Sequence, residues 1–462
     1  MRIEQYVEME RFSKFYKEIF KINMKLPDKH KKILKIALPA GVNSLLDMLQ
    51  VITDLIMVGR ISPFAVASVG LGLQSLMLVF SMLTLLHIGT NALLSRFIGA
   101  SRIKRASMGL STLLQFALIF SLPIAILWYL LSSYIFIWFS TAPEVASLGA
   151  DYMQILTLMM PFIFVKLVFV SALSASGDTK TPMYIKLISI AINVILNYIL
   201  IFGHFGSPAL GVLGAGLSTV IINILELIVY LILYLKGRMV YTPYLYFSKS
   251  LLRRALKVGV PASIERTLTF SSFMLFTVII AQYSTETLAG YQIGLRVEGL
   301  AFMPSLGFTI AGMTLMGQGL GAKRPQQAKD DVILVLRYTI GFVFIISLFM
   351  VLIPEKIVWL FTDDDRTIRE ASIYLMIVGI SQIPLATQFV ISGALRGAGD
   401  SRRTLKINLL SVWLIRIIPA FTLSYYFHSI LWIYLAMIAD TFVKATLLWI
   451  AFNRGEWQKI KV

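Results

Sequence analysis

Four polar residues lie on one face of the first long apolar segment of this sequence. Asn43, Asp47, Gln50 and Asp54 are spaced i, i+4, i+7 and i+11, so a helix places them in a single stripe. Asp54 lies well inside the segment, between Val-Ile-Thr and Leu-Ile-Met-Val-Gly. A carboxylate in apolar surroundings is costly, and a proton or a hard cation can neutralise it. We therefore predict that Asp54, with Asp47 near it, takes up and releases an ion.

Two further apolar segments carry polar residues at helical spacing. Asn193 and Asn197 are one turn apart, as are Thr219 and Asn223. If these segments face the first one, Asp54, Asn193, Asn197 and Thr219 form an oxygen-rich site for a proton, or for Na⁺ at Asp54, Asn193 and Asn197. The alternative is a hydrogen-bonded network that only fixes how the helices pack.

The second half of the chain has acids of its own within apolar segments. Glu265, Thr269 and Ser272 form a polar stripe, and Glu265 lies near a helix end, where it either snorkels to the surface or pairs with Arg296. Arg296 and Glu298 are separated by about 200° around a helix and cannot share a face. We predict a role in substrate binding or ion coupling for Glu265, Thr269, Arg296 and Glu298.

The remaining charged residues of the apolar segments show less pattern. Asp440 and Lys444 are spaced i, i+4 and are predicted to pair with each other. Lys166 and Glu226 have no evident partner in the sequence. Lys166 is close enough to its segment end for its ammonium group to snorkel.

The composition places these residues in a membrane. The chain has 462 residues, of which 57% are hydrophobic and 14% charged, and its mean hydropathy is +0.79. Soluble domains carry about 25% charged residues. Only helices satisfy every backbone amide in lipid without closing a barrel, so we predict an all-α integral membrane protein with twelve transmembrane helices. The apolar segments are 33–58, 64–95, 108–139, 145–174, 183–203, 209–235, 255–281, 286–317, 332–361, 367–395, 404–427 and 431–452.

The net charge of +18 comes from Lys and Arg in short loops. They concentrate in the N-terminal segment, in the C-terminal tail and in the even-numbered loops. Loop 4, between the fourth and fifth segments, holds Lys180 and Lys186. The positive-inside rule then places both termini in the cytoplasm and the protein in the plasma or inner membrane. Residues 1–32 fit a basic amphipathic helix on the cytoplasmic surface, or a disordered basic tail.

Other partners and chemistries are not expected. Charge that is scattered over loops does not form the polar face that binds nucleic acid. The chain has no Cys, and its four His form no metal motif. Since HExxH, GxSxG and paired catalytic acids are also missing, we expect neither an enzyme nor a cofactor.

The chain repeats itself with an offset of 222 residues. LKIALPA at 34–40 corresponds to LKVGVPA at 256–262, Gly99-Ala100 to Gly321-Ala322, and Gly177-Asp178 to Gly399-Asp400. An even number of helices separates equivalent points, so the halves share one topology, as in transporters with a cavity between two lobes. The predicted parts are an N-terminal segment 1–32, an N-lobe 33–235, a cytoplasmic linker 236–254, a C-lobe 255–452 and a cytoplasmic tail 453–462.

Three motifs resemble those of the multidrug and toxic compound extrusion (MATE) family. Asp54-Leu-Ile-Met-Val-Gly59 is similar to its D-x-x-x-x-G, residues 317–322 to its G-Q-x-x-G-A and residues 393–400 to its L-R-G-x-G-D. The resemblance covers nearly the whole chain. It implies the two homologous six-helix lobes of the MOP superfamily, and it identifies Asp54 with the coupling aspartate of the N-lobe.

The resemblance is closer to the DinF-like branch of the family than to the NorM-like one. Asn193 matches an N-lobe asparagine, and Asn197 stands where many DinF-like members have a second aspartate. Thr269 occupies the position of a glutamate in NorM-like members, and Leu385 that of an aspartate. These departures leave Asp54 as the carboxylate that resembles a coupling group.

The resemblance implies a secondary active antiporter, acting as a monomer in the lipid bilayer. It would export small cationic amphipathic organic compounds in exchange for H⁺ or Na⁺ by alternating access of the two lobes, with neutralisation of Asp54 releasing the bound cation. The alternative is a flippase for lipid-linked oligosaccharides or lipids from the same superfamily. Its anionic substrate would need a cationic cavity, for which the sequence offers Lys166, Arg266, Arg296 and Arg416.

Overall fold

The computed structural model describes residues 27–138 and 142–460, which form helices joined by short loops. Most of the predicted amphipathic segment 1–32 therefore lies outside the described residues. The helices are α1 Asp28–Gly59, α2 Pro63–Gly99, α3 Ile103–Trp138, α4a Pro143–Thr157, α4b Met160–Ser176, α5 Lys180–Phe202, α6 Val212–Leu235, α7 Lys249–Ile280, α8 Thr285–Gly321, α9 Pro325–Leu352, α10 Asp365–Gly397, α11 Ser401–Phe427 and α12 Ile430–Arg454.

These helices confirm the predicted all-α membrane fold. Within the described ranges, eleven helices are each long and apolar enough to cross a bilayer. The pair α4a and α4b, bent by 51° at its break, brings the number of candidate spans to twelve if it is counted as one. The ninth span ends earlier than predicted, at Leu352, because Pro354 cannot continue the helix and instead begins a short separate one, Pro354–Trp359.

The offset of 222 residues recurs in the signals that begin and end the helices. Ser62 caps α2 by accepting from the Ala65 amide at 3.1 Å, and Ser284 caps α8 by accepting from the Thr287 amide at 3.1 Å. The glycines that follow α4b and α10 both have left-handed backbones, with φ of 91° at Gly177 and 90° at Gly399. The two halves are thus built on the same local signals.

The halves meet along α1 and α2 of the first and α7 and α8 of the second. Asn91 of α2 donates to the Thr314 hydroxyl of α8 at 3.1 Å. Near the ends of the same helices, a Cβ on Gly99 would overlap the Gln318 carbonyl, and one on Gly321 would overlap the Arg96 carbonyl. We call this crossing, residues 95–100 against 317–322, the α2–α8 seam. It lies at the end of the helices that leads into the basic loops, so the halves are closed against each other there.

Candidate functional site

Asp54 is half-buried on α1 and meets buried amides of α5. Asn197 donates from its Nδ2 to Asp54 Oδ1 at 2.6 Å, and the same nitrogen lies 3.4 Å from Oδ1 of Asn193. Oδ1 of Asn197 accepts in turn from the hydroxyl of Ser218 on α6. Helix α1 and the consecutive helices α5 and α6 therefore join Asp54, Asn193, Asn197 and Ser218 in one group, which we call the Asp54 cluster.

The Asp54 carboxylate is not locked against a basic side chain. Among the described residues, no Lys or Arg nitrogen lies within 4.0 Å of it, and its hydrogen-bond partner is a neutral amide. Its charge can therefore change without breaking an ion pair. The buried Nδ2 of Asn193 has no partner among the described groups, which leaves the amides room to exchange hydrogen bonds when that charge changes.

The contact predicted for Thr219 is made by its neighbour. The Thr219 hydroxyl donates to the Ala215 carbonyl of its own helix at 3.0 Å, whereas Ser218 reaches Asn197. The prediction was wrong by one residue because helical spacing does not fix the rotation of α6 about its axis. That rotation is set where Gly214 lies so close to the Leu200 carbonyl of α5 that a Cβ would overlap it.

The spacing of small residues on α6 is a sequence signal for Ser218. Gly214 and Ser218 are four residues apart and share a helix face. This small-xxx-small spacing is typical of close contacts between membrane helices. The face that lets α5 approach at Gly214 thus presents the Ser218 hydroxyl to α5 one turn later.

The N-terminal half also holds a network of paired charges on α1, α4b, α5 and α6. Lys186 of α5 lies 2.7 Å from Asp47 Oδ1, 2.7 Å from Gln50 Oε1 and 4.0 Å from Glu226 Oε1. Lys166 of α4b lies 2.5 Å from Glu226 Oε2. Asp47, which was predicted to act beside Asp54, is thus the exposed end of this paired-charge network, with 57% of its side chain accessible.

Two expectations for these lysines are wrong. Lys166 does not snorkel, because its side chain is 13% exposed and bound to Glu226 and to the Asn223 Oδ1 at 2.5 Å. Lys186, which was counted with a loop, lies in α5 with 12% of its side chain exposed. The sequence could not predict the pairs Lys166–Glu226 and Lys186–Asp47, because the two members of each pair lie on different helices. Each lysine neutralises an acid and is therefore not a free cation.

Glu265 of α7 is buried and held by three polar partners. Arg396 Nη2 and Asn408 Nδ2 both lie 2.5 Å from its Oε1, and the Thr404 hydroxyl donates to Oε2 at 3.1 Å. Both predicted alternatives, snorkelling and a pair with Arg296, are therefore wrong. Arg396 lies in the segment that resembles L-R-G-x-G-D, so that segment supplies the countercharge of Glu265.

The other predicted residues of the second half do not gather around Glu265. The Thr269 hydroxyl donates to the Glu265 carbonyl at 2.8 Å, within its own helix. Arg296 is exposed, while Glu298 points inward and accepts from the Tyr374 hydroxyl at 2.7 Å. The prediction that Arg296 and Glu298 lie on different faces of α8 is confirmed.

Three more charged residues of the second half, Asp440, Lys444 and Arg416, are buried, and each has a partner. Lys444 lies 2.7 Å from Asp440, as the spacing predicted, and Asp440 also accepts from the Ser411 hydroxyl at 2.6 Å. Arg416, in a π-helical stretch of α11, lies over the rings of Phe273 and Phe276 at 4.8 and 4.6 Å from their centroids. Aromatic faces thus cover this guanidinium.

The described residues of the Asp54 cluster offer a bound ion one carboxylate, two amides and one hydroxyl. Within the described residues, no group of three or more His, Asp or Glu could hold a metal ion. Asn197 turns its nitrogen, not its oxygen, towards Asp54 and Asn193. A cation needs oxygen ligands, so Na⁺ would require Asn197 to rotate its amide and to change its bond with Ser218.

Comparisons with known proteins agree on one family. The MatE family model matches residues 39–199 and 261–422. A probable multidrug resistance protein NorM of Thermotoga maritima is 30% identical, with 94% of each chain covered. A probable multidrug resistance protein YoeA of Bacillus subtilis is 28% identical, with 92% of this chain and 93% of that one covered.

Solved structures share the fold. The Vibrio cholerae MATE transporter VcmN in its bent form has a TM-score of 0.86 at 22% identity, covering 93% of this chain and 97% of that one. A MOP superfamily transporter from Pyrococcus furiosus, described as having a binding pocket of reverse polarity, has a TM-score of 0.87 at 18% identity, covering 94% and 97%. At these identities the likeness is one of fold.

Proposed function

Because this chain belongs to the MATE family of multidrug efflux transporters, we propose that it is a secondary active antiporter. It exports cationic amphipathic organic compounds in exchange for H⁺ or Na⁺, as a monomer in the plasma membrane. Both termini face the cytoplasm, as the positive-inside rule predicts. The observation that supports ion coupling is the state of Asp54, a half-buried carboxylate hydrogen-bonded to a neutral amide.

The proposed coupling step takes place at the Asp54 cluster. With Asp54 ionised, the three acids Asp47, Asp54 and Glu226 carry one more charge than the two lysines near them neutralise, because Lys186 and Lys166 are already paired with Asp47 and Glu226. A bound organic cation benefits from that charge. When an ion enters and neutralises Asp54, this benefit disappears and the amides of Asn193 and Asn197 pair anew. The cation is released, and the empty site reloads from the other side.

Of the two ions, we favour H⁺. A proton adds to a carboxylate oxygen with only a local change of hydrogen bonds, whereas Na⁺ needs the rotation of Asn197 described above. Binding of Na⁺ at Asp54, Asn193 and Asn197 therefore carries an additional cost. A stimulation of transport by a Na⁺ gradient at constant pH would reverse this preference.

In the C-lobe we propose different roles for the two acids. Glu265 holds α7 to α10 and α11 through Arg396, Thr404 and Asn408. Glu298 has the Tyr374 hydroxyl as its hydrogen-bond partner and no Lys or Arg within 4.0 Å among the described residues. It is therefore our candidate for C-lobe substrate binding. Thr269 supports its own helix, and Arg296 remains a candidate only for a contact outside the lobe.

The flippase alternative is not favoured. An anionic lipid headgroup would need unpaired cations in the interior, but Lys166 binds Glu226 and aromatic rings cover Arg416. The curated relatives described above carry names of multidrug resistance proteins. Within the family we keep the DinF-like branch as a proposal, because Thr269 and Leu385 stand where NorM-like members have acids.

The test is transport by the purified protein in liposomes, with a fluorescent organic cation as substrate. We expect a pH gradient to drive uptake by the wild type and Asp54→Asn to reduce uptake to the level of protein-free liposomes. Asp151→Asn, which removes an exposed acid of α4a, serves as the matched control and should transport as the wild type does. Full gradient-driven transport by Asp54→Asn would refute the coupling role.

A further inference from the structure

A large basic cavity opens at the end of the molecule where the helices lead into the basic loops. Its volume is about 1560 Å³, and ten of its 21 lining residues are Lys or Arg, with no Asp or Glu among the described lining residues. Both halves contribute, with Arg102 from the first and Arg324 from the second. We call it the basic cavity.

The ten cations of the basic cavity have no acidic partner within the part of the chain that the structure describes. Among the described residues, none of them lies within 4.0 Å of an acidic oxygen or donates a side-chain hydrogen bond. The neighbouring acids are engaged elsewhere: Asp400 and Glu456 bind Arg403 at 3.1 and 2.5 Å, and Asp331 binds Lys29 at 3.3 Å. Repulsion between so many like charges can be relieved by an anion.

The floor of the basic cavity is the α2–α8 seam. Gly99, Ala100, Gly321 and Ala322 line it, and Arg96 projects from the same crossing. The guanidinium groups around it therefore come from both sides of the contact between the halves. An anion with several charges could contact both halves at once and hold this end closed.

Equivalent positions present the two arginines nearest to the ends of the seam. Arg102 and Arg324 differ by the repeat offset of 222 and follow residues with left-handed backbones, Ser101 at φ 56° and Lys323 at φ 59°. Their amides close the same turn, onto Phe97 and Gly319 carbonyls, both at 2.9 Å. The repeat thus supplies two planar groups with donors suited to phosphate oxygens.

We propose that the basic cavity binds a soluble anion with several phosphate groups, which bridges the two halves at the α2–α8 seam. The cavity lies over the contact between the halves and not at a lipid-facing helix, so a soluble polyphosphate fits it better than a lipid headgroup. Binding at this place does not depend on the transported substrate or on the coupling ion.

The test is titration calorimetry of the purified, full-length protein with tripolyphosphate at low and high salt. We expect saturable binding that weakens as salt is raised, because screening acts on exposed charges. The double variant Arg102→Gln/Arg324→Gln should lose about a hundredfold in affinity, since each of the two lost charge-assisted contacts is worth about a factor of ten. The matched control, Lys236→Gln/Arg238→Gln, removes two cations of the linker that do not line the cavity, and its affinity should stay within about twofold.

Three outcomes would overturn the proposal. One is the absence of tripolyphosphate binding to the wild type, and another is an equal loss of affinity in both double variants, which would indicate nonspecific attraction to net charge. The third comes from nanodiscs: if anionic lipids abolish the binding seen with zwitterionic lipids at the same salt, the occupant is a lipid headgroup. Circular dichroism of each variant confirms that the helices are retained, and these results leave the role of Asp54 untouched.

Discussion

Asp54 in the N-lobe and Glu265 in the C-lobe are both acids inside membrane-spanning helices, but their surroundings differ. Glu265 binds a guanidinium at 2.5 Å together with an amide and a hydroxyl, whereas Asp54 binds an amide at 2.6 Å. Removing one member of a buried ion pair leaves the other charge uncompensated, so Glu265 is held in one state. Asp54 can change its charge at little structural cost. We therefore infer that an acid within a span can change its charge when its partners are neutral, and stabilises the fold when it forms an ion pair.

The largest effect on stability should come from removing the ion pair between Glu265 and Arg396. We expect Glu265→Gln to lower the free energy of unfolding by about 3–5 kcal/mol, because the Arg396 charge is left buried without a counterion. An unfolding titration in detergent micelles measures this difference. Asp54→Asn, in the same assay, should remain within about 1 kcal/mol of the wild type, since no ion pair is broken.

The double variant Glu265→Leu/Arg396→Leu sharpens this comparison. Replacing both members of a buried pair by apolar residues is often neutral, so we expect it to recover much of the stability. A Glu265→Gln protein as stable as the wild type would mean that the ion pair of Glu265 does not stabilise the fold.

The second effect concerns substrate affinity and its dependence on pH. As the buffer is acidified and Asp54 becomes neutral, we expect the wild type to bind an organic cation about 5–150-fold more weakly, the usual range of coupling between two sites. Fluorescence binding in detergent measures this without any gradient. In Asp54→Asn the affinity should be low and independent of pH, whereas Glu298→Gln should weaken binding but keep the pH dependence. If Glu298→Gln alone abolished the pH dependence, the coupling group would lie in the C-lobe.

A smaller effect separates two neighbouring hydroxyls of α6. Ser218→Ala leaves the buried Asn197 oxygen without its donor, which should cost about 1–3 kcal/mol of stability. Thr219→Val is the matched control, because the Thr219 hydroxyl bonds only to the carbonyl of its own helix among the described groups, and it should change stability by less. Unfolding titrations of both variants measure the two losses of stability, and the loss for Ser218→Ala should be the larger. Equal losses would indicate that Ser218 has no special place in the Asp54 cluster.

The smallest expected effect on stability concerns the start of α10, which we compare with the equivalent start of α4a. Asp364 caps α10 by accepting from the Thr367 hydroxyl and amide at 2.6 and 2.8 Å, while Ala142 at the equivalent place before α4a offers no side-chain cap. The hydrogen bond from the Thr367 hydroxyl is the main cause, and that from the Thr367 amide the second cause, that the pKa of Asp364 lies below its ordinary value. A lowered pKa stabilises the fold above the pKa of the unfolded chain, and this contribution is lost as pH falls through the folded-state pKa.

We therefore expect Asp364→Ala to be slightly less stable than the wild type at neutral pH. The difference between the two proteins should vanish as the buffer is acidified, because protonated Asp364 loses the advantage of its charge. Thermal unfolding at a series of pH values measures this. A difference that is constant with pH would show that the ionised cap contributes nothing.

The helices and their repetition could be predicted from the sequence because their causes are local. Apolar runs long enough to cross a bilayer, serine caps and left-handed glycines act within a few residues, and the offset of 222 needs only the order of the chain. The same holds for Asp440 and Lys444, which lie one turn apart on a single helix. The stripe of Asn43, Asp47, Gln50 and Asp54 belongs to this class too, since it follows from the helical period.

The partners of the buried charges were decided by tertiary structure. Glu265 and Arg396 are 131 residues apart, and Lys166 and Glu226 are 60 apart. Whether they meet depends on how each helix is rotated and how closely its neighbours approach, as Gly214 against Leu200 illustrates for Ser218. Hydrophobic periodicity selects the face of a helix but not the residue opposite it. The sequence alone therefore identified the acids, and only the packed helices determined which of the described ones are paired with a basic side chain.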